Sequence, residues 1–126
     1  MTTVNSPDID TQQGSQPLIE LSELLLIIDN DQALLKDLLT KFYQDYLLAN
    51  IEFKQALQEN NLITAQRHAH NIAGSAQMIG AKSLRLASQA CDYSLQLEHV
   101  ELAISDSFTL CLDQTLIALH KKIASL

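Results

Sequence analysis

Four histidines, His68, His70, His99 and His120, are the side chains here best suited to chemistry near neutral pH. His68 and His70 are two positions apart, and i,i+2 side chains on a helix point to different sides, so the pair cannot share a zinc ion. His99 and His120 have no partner at a functional spacing. Cys91 and Cys111 stand alone, with no CxxC and no metal-type Cys/His spacing. We therefore assign no metal ligands, no resident cofactor and no paired-carboxylate chemistry. What remains is a single imidazole acting as a nucleophile or a docking residue.

His70 stands out through its surroundings. The pattern Leu62, Ala65, Ala69, Ile72, Ala76, Ile79 steps by three and four and reads as the buried stripe of a helix. At about 100° per residue, His70 falls roughly 130° from the centre of that stripe, facing solvent. Ile63, Arg67, Gly74, Gln77 and Met78 share its outer surface, whereas His68 sits on the boundary nearer the core. Gly74 costs a helix interior about 1 kcal/mol relative to Ala. Placed one turn after His70, it removes side-chain bulk beside the ring, as a large partner approaching the imidazole would require. The exposed apolar pair Ile63 and Met78 reads as part of a docking patch. Between Glu59 and Asp92 there is no acidic residue, while Arg67, Lys82 and Arg85 lie in the same stretch. The expectation is a neutral to positive surface around His70, suited to a phosphoryl group or to a partner's acidic pocket.

The elements that must hold this surface are helical. Leu supplies 23 of the 126 residues, Val only two, and both prolines (Pro7 and Pro17) precede residue 18. Such a chain cannot readily build a sheet with its tight turns, and all-β and α/β folds are excluded. Residues 1–17 read as a flexible polar tail and 18–126 as one domain. A short helix is expected over about 20–28, then four long ones over about 31–58, 62–79, 82–98 and 102–124. Asn30 or Asp31 caps the second, an Asn of the Glu59-Asn60-Asn61 run caps the third, and Gly80 ends the third as a C′ glycine. The fourth has apolar residues on two faces (Leu84, Ala87, Cys91, Leu95 and Leu86, Ala90, Tyr93, Leu97), which predicts heavy burial. Four long helices with short connections make an all-α fold, an antiparallel four-helix bundle with a short extra N-terminal helix.

A net charge of −7 lacks the basic face a nucleic-acid partner needs and repels anionic membrane surfaces. The longest fully apolar run, Leu24 to Ile28, is too short to span a bilayer, and no signal-peptide pattern is present. We expect a monomeric cytoplasmic protein whose cysteines are small core residues rather than a disulfide.

The run from Ala69 to Ala81, AHNIAGSAQMIGA, resembles the signature of histidine-containing phosphotransfer (HPt) domains: a histidine, an apolar residue two on, a Gly-Ser pair, and an apolar-Gly-Ala close. Leu34-Leu35, Phe42 and Ala56-Leu57 fit the family's preceding helix, and the resemblance covers about residues 20–125. It implies that His70 is phosphorylated on a ring nitrogen. The phosphoryl group would come from a receiver-domain aspartate and pass to another receiver, between a hybrid sensor histidine kinase and a response regulator. The receiver would supply Mg²⁺. The family usually has Lys immediately before the glycine, where this chain has Ala73. Arg67, one turn before His70, is the first candidate to replace that cation, and Lys82, beyond the helix end, is the second. The rival reading is a pseudo-HPt module that docks a receiver or kinase without carrying phosphate. A small bundle enzyme is a distant third, because the side chains it would need are missing.

Overall fold

The computed structural model describes residues 17–126, so the expected tail lies outside the described residues except for Pro17. Five helices follow one another: α1 (Ser22–Ile27), α2 (Gln32–Gln58), α3 (Leu62–Ala76), α4 (Lys82–Gln96) and α5 (Leu102–Ser125). There is no strand among the described residues. The four long helices form a closed square in which α3 packs on α2 and α4, and α5 on α2 and α4. Glu52 meets His68, while Tyr46 meets Ser75 farther along α3, so α2 and α3 run antiparallel. Tyr43 against His120 and Asn50 against Asp113 give the same sense to α2 and α5.

Helix ends follow side-chain chemistry. The Asp31 carboxylate accepts from the Leu34 amide at 3.0 Å, and the Asn61 side chain accepts from the Thr64 amide at 3.2 Å. Each satisfies an amide that the first turn leaves without a partner. Every connection after a helix turns through a left-handed residue: Asp29, Asn60, Gly80 or Glu98, with φ of 56°, 56°, 62° and 55°. At each, the next amide reaches back to the carbonyl five residues earlier, as in Asn61 to Ala56, Ala81 to Ala76 and His99 to Ser94. This is the Schellman closure, which uses carbonyls the last turn leaves free. Glycine is essential only at Gly80. A Cβ there would collide with the Glu20 carbonyl oxygen, and the Glu20 amide donates to Ile79 O at 2.9 Å, strapping the segment before α1 to the end of α3.

Two expectations need correction. The regular part of α3 stops at Ala76 rather than Ile79, because Met78 and Gly80 bond three residues back, to Ser75 and Gln77, tightening the path to Gly80. And α4 is buried on one face only. Leu84, Ser88, Cys91 and Leu95 are inside, whereas Leu86, Tyr93 and Leu97 are 50%, 66% and 61% exposed. Four helices in a square cover one side of α4, and nothing among the described residues covers the other.

The core runs the length of the square. Leu35, Leu39, Phe53, Leu84, Phe108, Leu112 and Leu119 are almost fully buried, and Phe53 meets Phe108 edge to face at 4.8 Å. By length and composition α5 could cross a membrane. Here its stripe of Phe108, Leu112, Leu116 and Leu119 is the fourth wall of the bundle core. Small buried residues on α3 (Ala65, Ala69, Ala73 and Ala76) and on α4 (Ser88 and Cys91) leave room for close approach, and those two helices pack most extensively. That close seam sets the register across which His70 meets α4.

Candidate functional site

α3 presents His70 on its outer surface, with the side chain 67% exposed. Ala65, Ala69, Ile72 and Ala76 anchor the opposite face in the core. Arg67, Gly74, Gln77, Ile63 and Met78 are all exposed, Ile63 by 75%. A Cβ built on Gly74 meets nothing within 4 Å, so packing does not demand a glycine there. The position is open toward solvent beside the imidazole.

The expectation of a neutral to positive surround is overturned by a residue from the neighbouring helix. Asp92 of α4 places Oδ2 at 2.9 Å from His70 Nδ1. The carboxylate is itself held: Gln66 Nε2 donates to its Oδ1 at 2.6 Å and Gln96 Nε2 at 3.0 Å. Its side chain is 13% exposed against 67% for His70. Burial works to raise its pKa, but the hydrogen bonds from Gln66, His70 and Gln96 together hold it below the ordinary 3.8. The group is a carboxylate at neutral pH and can only accept, so Nδ1 carries the hydrogen. In the neutral ring Nε2 then keeps its lone pair and is the nitrogen free to act as nucleophile. Sequence reading missed Asp92 because 22 positions separate it from His70 and only the α3–α4 register joins them. Its one signal was that it ends the acid-free stretch.

The other candidates fall into different neighbourhoods. Arg67 lies on the His70 surface one turn earlier. Lys82 begins α4 beside Pro17, Glu20, Glu23 and Gly80, ten residues before Asp92 and thus about 15 Å along the helix axis. Ala73, at the family's lysine position, is 9% exposed on the α4 side of α3. His68 turns the other way and pairs with Glu52 at 3.2 Å, in a cleft of about 320 Å³ between α2 and α3. His99 pairs with Glu101 at 3.3 Å, and His120 packs on the Tyr43 ring. No group of three or more metal-type ligands occurs among the described residues. Both cysteines are free thiols.

Ser75, next to Gly74, has a structural role. Its hydroxyl donates to Ile72 O at 3.3 Å and lies 2.7 Å from the Tyr46 hydroxyl of α2. A rigid, exposed imidazole with one nitrogen tied down and the other free, beside an open glycine, can exchange a group with a macromolecular partner.

No curated protein and no solved structure matches the chain. The family model of the Hpt domain matches residues 33–122, which span most of α2 and α5 with the whole of α3 and α4. That match covers well over half of the sequence and contains both His70 and the seam that positions it. The chain belongs to the Hpt domain family, whose members serve phosphotransfer in two-component signalling and interact there with receiver domains and kinases.

Proposed function

We propose that this protein is a phosphorelay intermediate that accepts a phosphoryl group on His70 from a receiver-domain aspartate and passes it to a second receiver. The observation that carries the reading is the pairing of an exposed, tautomer-fixed imidazole with the open position at Gly74. A receiver must bring its acyl phosphate, and the Mg²⁺ bound there, to the ring, and bulk one turn away would hinder it. Ile63 and Met78 supply exposed apolar surface on the same helix. Leu26 and Ile27 of α1, 78% and 73% exposed, extend the apolar surface on an element strapped to the end of α3. We place the receivers on this face, the donor being that of a hybrid sensor kinase and the acceptor that of a response regulator. In this reading the bundle is a cytoplasmic monomer that takes its phosphoryl group from the donor receiver rather than from ATP.

The decisive experiment incubates the protein with a phosphorylated receiver. An acid-labile, base-stable label that His70→Ala abolishes is the expected result. Ala73, where the family usually has lysine, favours a second reading: a pseudo-HPt module that docks a receiver without taking phosphate. That reading wins if the protein binds the phosphorylated receiver and acquires no label.

A further inference from the structure

We propose that Asp92 is a positioning residue that makes phospho-His70 a short-lived, strong phosphoryl donor, by keeping a proton on Nδ1 through both halves of the transfer. The proposal rests on His70 being the phosphoacceptor and adds to that reading the charge state of the carrier.

A carboxylate 2.9 Å from Nδ1, fixed by two glutamine amides and only 13% exposed, is preorganised to hold that proton. On the way in, the Nε2 lone pair attacks phosphorus. The bond between phosphorus and the receiver's carboxylate oxygen breaks, and its electron pair leaves with that carboxylate. The ring now carries phosphorus on Nε2 and hydrogen on Nδ1, so it is cationic, and Asp92 lies against the positive charge. On the way out, the second receiver's carboxylate oxygen attacks phosphorus. The electron pair of the N–P bond returns to Nε2, regenerating neutral imidazole with its proton still on Nδ1. No proton enters or leaves in either direction, so no general acid or base is needed.

The consequence concerns the leaving group. A ring that keeps its Nδ1 proton departs as neutral imidazole, whereas a ring that lost it would depart as an imidazolate anion, a far poorer leaving group. Asp92 therefore favours the reactive form of the carrier. A charge-assisted hydrogen bond is roughly twice as strong as a neutral one, so replacing the carboxylate by an amide should cost about fivefold to tenfold in donor reactivity.

The test uses the full chain, with phosphoramidate as chemical phosphoryl donor and an isolated receiver domain as acceptor. Wild type, Asp92→Asn and Asp92→Glu are compared for label lifetime and for the rate of onward transfer. The ¹⁵N shifts of the unphosphorylated His70 ring are read in parallel. We expect wild type to show the tautomer with hydrogen on Nδ1. Asp92→Asn should hold its label about fivefold to tenfold longer and pass it on correspondingly more slowly, with Asp92→Glu recovering part of the donor rate. A wild-type protein that labels but carries the hydrogen on Nε2 overturns the proposal alone, whatever the variants do. So does an Asn variant whose label decays and transfers as in wild type. A wild-type protein that takes no label from phosphoramidate overturns the phosphoacceptor reading, and the proposal with it.

Discussion

The hydroxyl oxygens of Tyr46 and Ser75 lie 2.7 Å apart, joining the middle of α2 to α3 at the residue that follows Gly74. Because the Ser75 hydroxyl also reaches Ile72 O at 3.3 Å, it donates there and accepts from Tyr46. The turn carrying Gly74 is thus pinned from the α2 side, while the Ala-rich seam holds it from the α4 side. His70, one turn earlier, is exposed on a segment that cannot rotate freely. A phosphoryl carrier needs just this combination, since the ring has to meet an in-line attack geometry with a partner it holds only briefly.

Removing one hydroxyl of this pair should cost more than removing both. Ser75→Ala leaves the Tyr46 hydroxyl, buried with its residue, without an acceptor, a penalty of about 1–3 kcal/mol. The double variant Ser75→Ala/Tyr46→Phe should recover part of that loss, because no orphaned donor remains. Denaturant unfolding of the two single variants and the double one measures the coupling. Strictly additive losses would mean the bond contributes nothing of its own.

Alkali should unfold the bundle through two buried acids. Burial pushes the Cys91 thiol up from 9.0 to about 12, with the Asp92 charge adding to it. Burial likewise pushes the Tyr46 hydroxyl from 10.0 to about 12, an effect that the Ser75 hydrogen bond opposes and the Asp45 charge reinforces. Both groups are held neutral by folding, so the unfolded chain gives up these protons at lower pH. Their contribution is complete below the ordinary values and is lost as pH rises through the raised ones. Stability should therefore be flat up to about pH 9 and fall by a few kcal/mol toward pH 12. Cys91→Ala should flatten the first part of that fall. A midpoint in urea that does not change over this window would contradict the burial of both groups.

How far the sequence carried these conclusions depends on the range of the interaction involved. The three- and four-residue spacing of α3, the Asp31 and Asn61 caps and the C′ role of Gly80 are local, and each stands in the structure where its residue type puts it. The end of α4 at Gln96, two residues before the expected 98, is less legible because the left-handed residue of that turn is Glu98, a side chain that gives no turn signal. The second apolar face of α4 was misleading, since periodicity shows that a face is apolar and not whether a neighbour exists to cover it. Asp92 was beyond reach for a different reason. Its position on α4 was plain, but which turn of α3 it opposes is decided by how the two helices pack, and no single helix encodes that register.

Gly74 separates stability from function in one position. Nothing lies within 4 Å of a Cβ placed there, so Gly74→Ala should stabilise the domain by about 1 kcal/mol through helix propensity alone. Gly74→Gln should also fold at least as well as wild type and yet lose phosphotransfer, because its side chain occupies the approach to the imidazole. Thermal unfolding and receiver-to-His70 transfer are the two measurements. Wild-type transfer rates in Gly74→Gln would show that the open position has no part in docking.

Arg67 is the residue we expect to stand in, partly, for the lysine missing at Ala73. It sits one turn before His70 on the same exposed surface, where a guanidinium can reach a phosphoryl group on Nε2. The carboxylate at Asp92 does not remove the need for a cation, because it faces Nδ1 and the phosphoryl group grows from the other side of the ring. The contact is exposed and screened, so Arg67→Ala should slow transfer or shorten the phosphohistidine lifetime by about fivefold to tenfold, on the order of 1 kcal/mol. Restoring the family's residue by Ala73→Lys is a fair comparison only if its stem can escape the α3–α4 seam. Ala73 is 9% exposed, so the four-carbon chain must run outward along α4 before its ammonium reaches solvent near the ring. We therefore expect Ala73→Lys to lower stability slightly while rescuing transfer in the Arg67→Ala background. If Arg67→Ala transfers as wild type and Ala73→Lys alone accelerates transfer, Arg67 is only a solvated charge. His70 would then work on the receiver's cations and the proton held by Asp92.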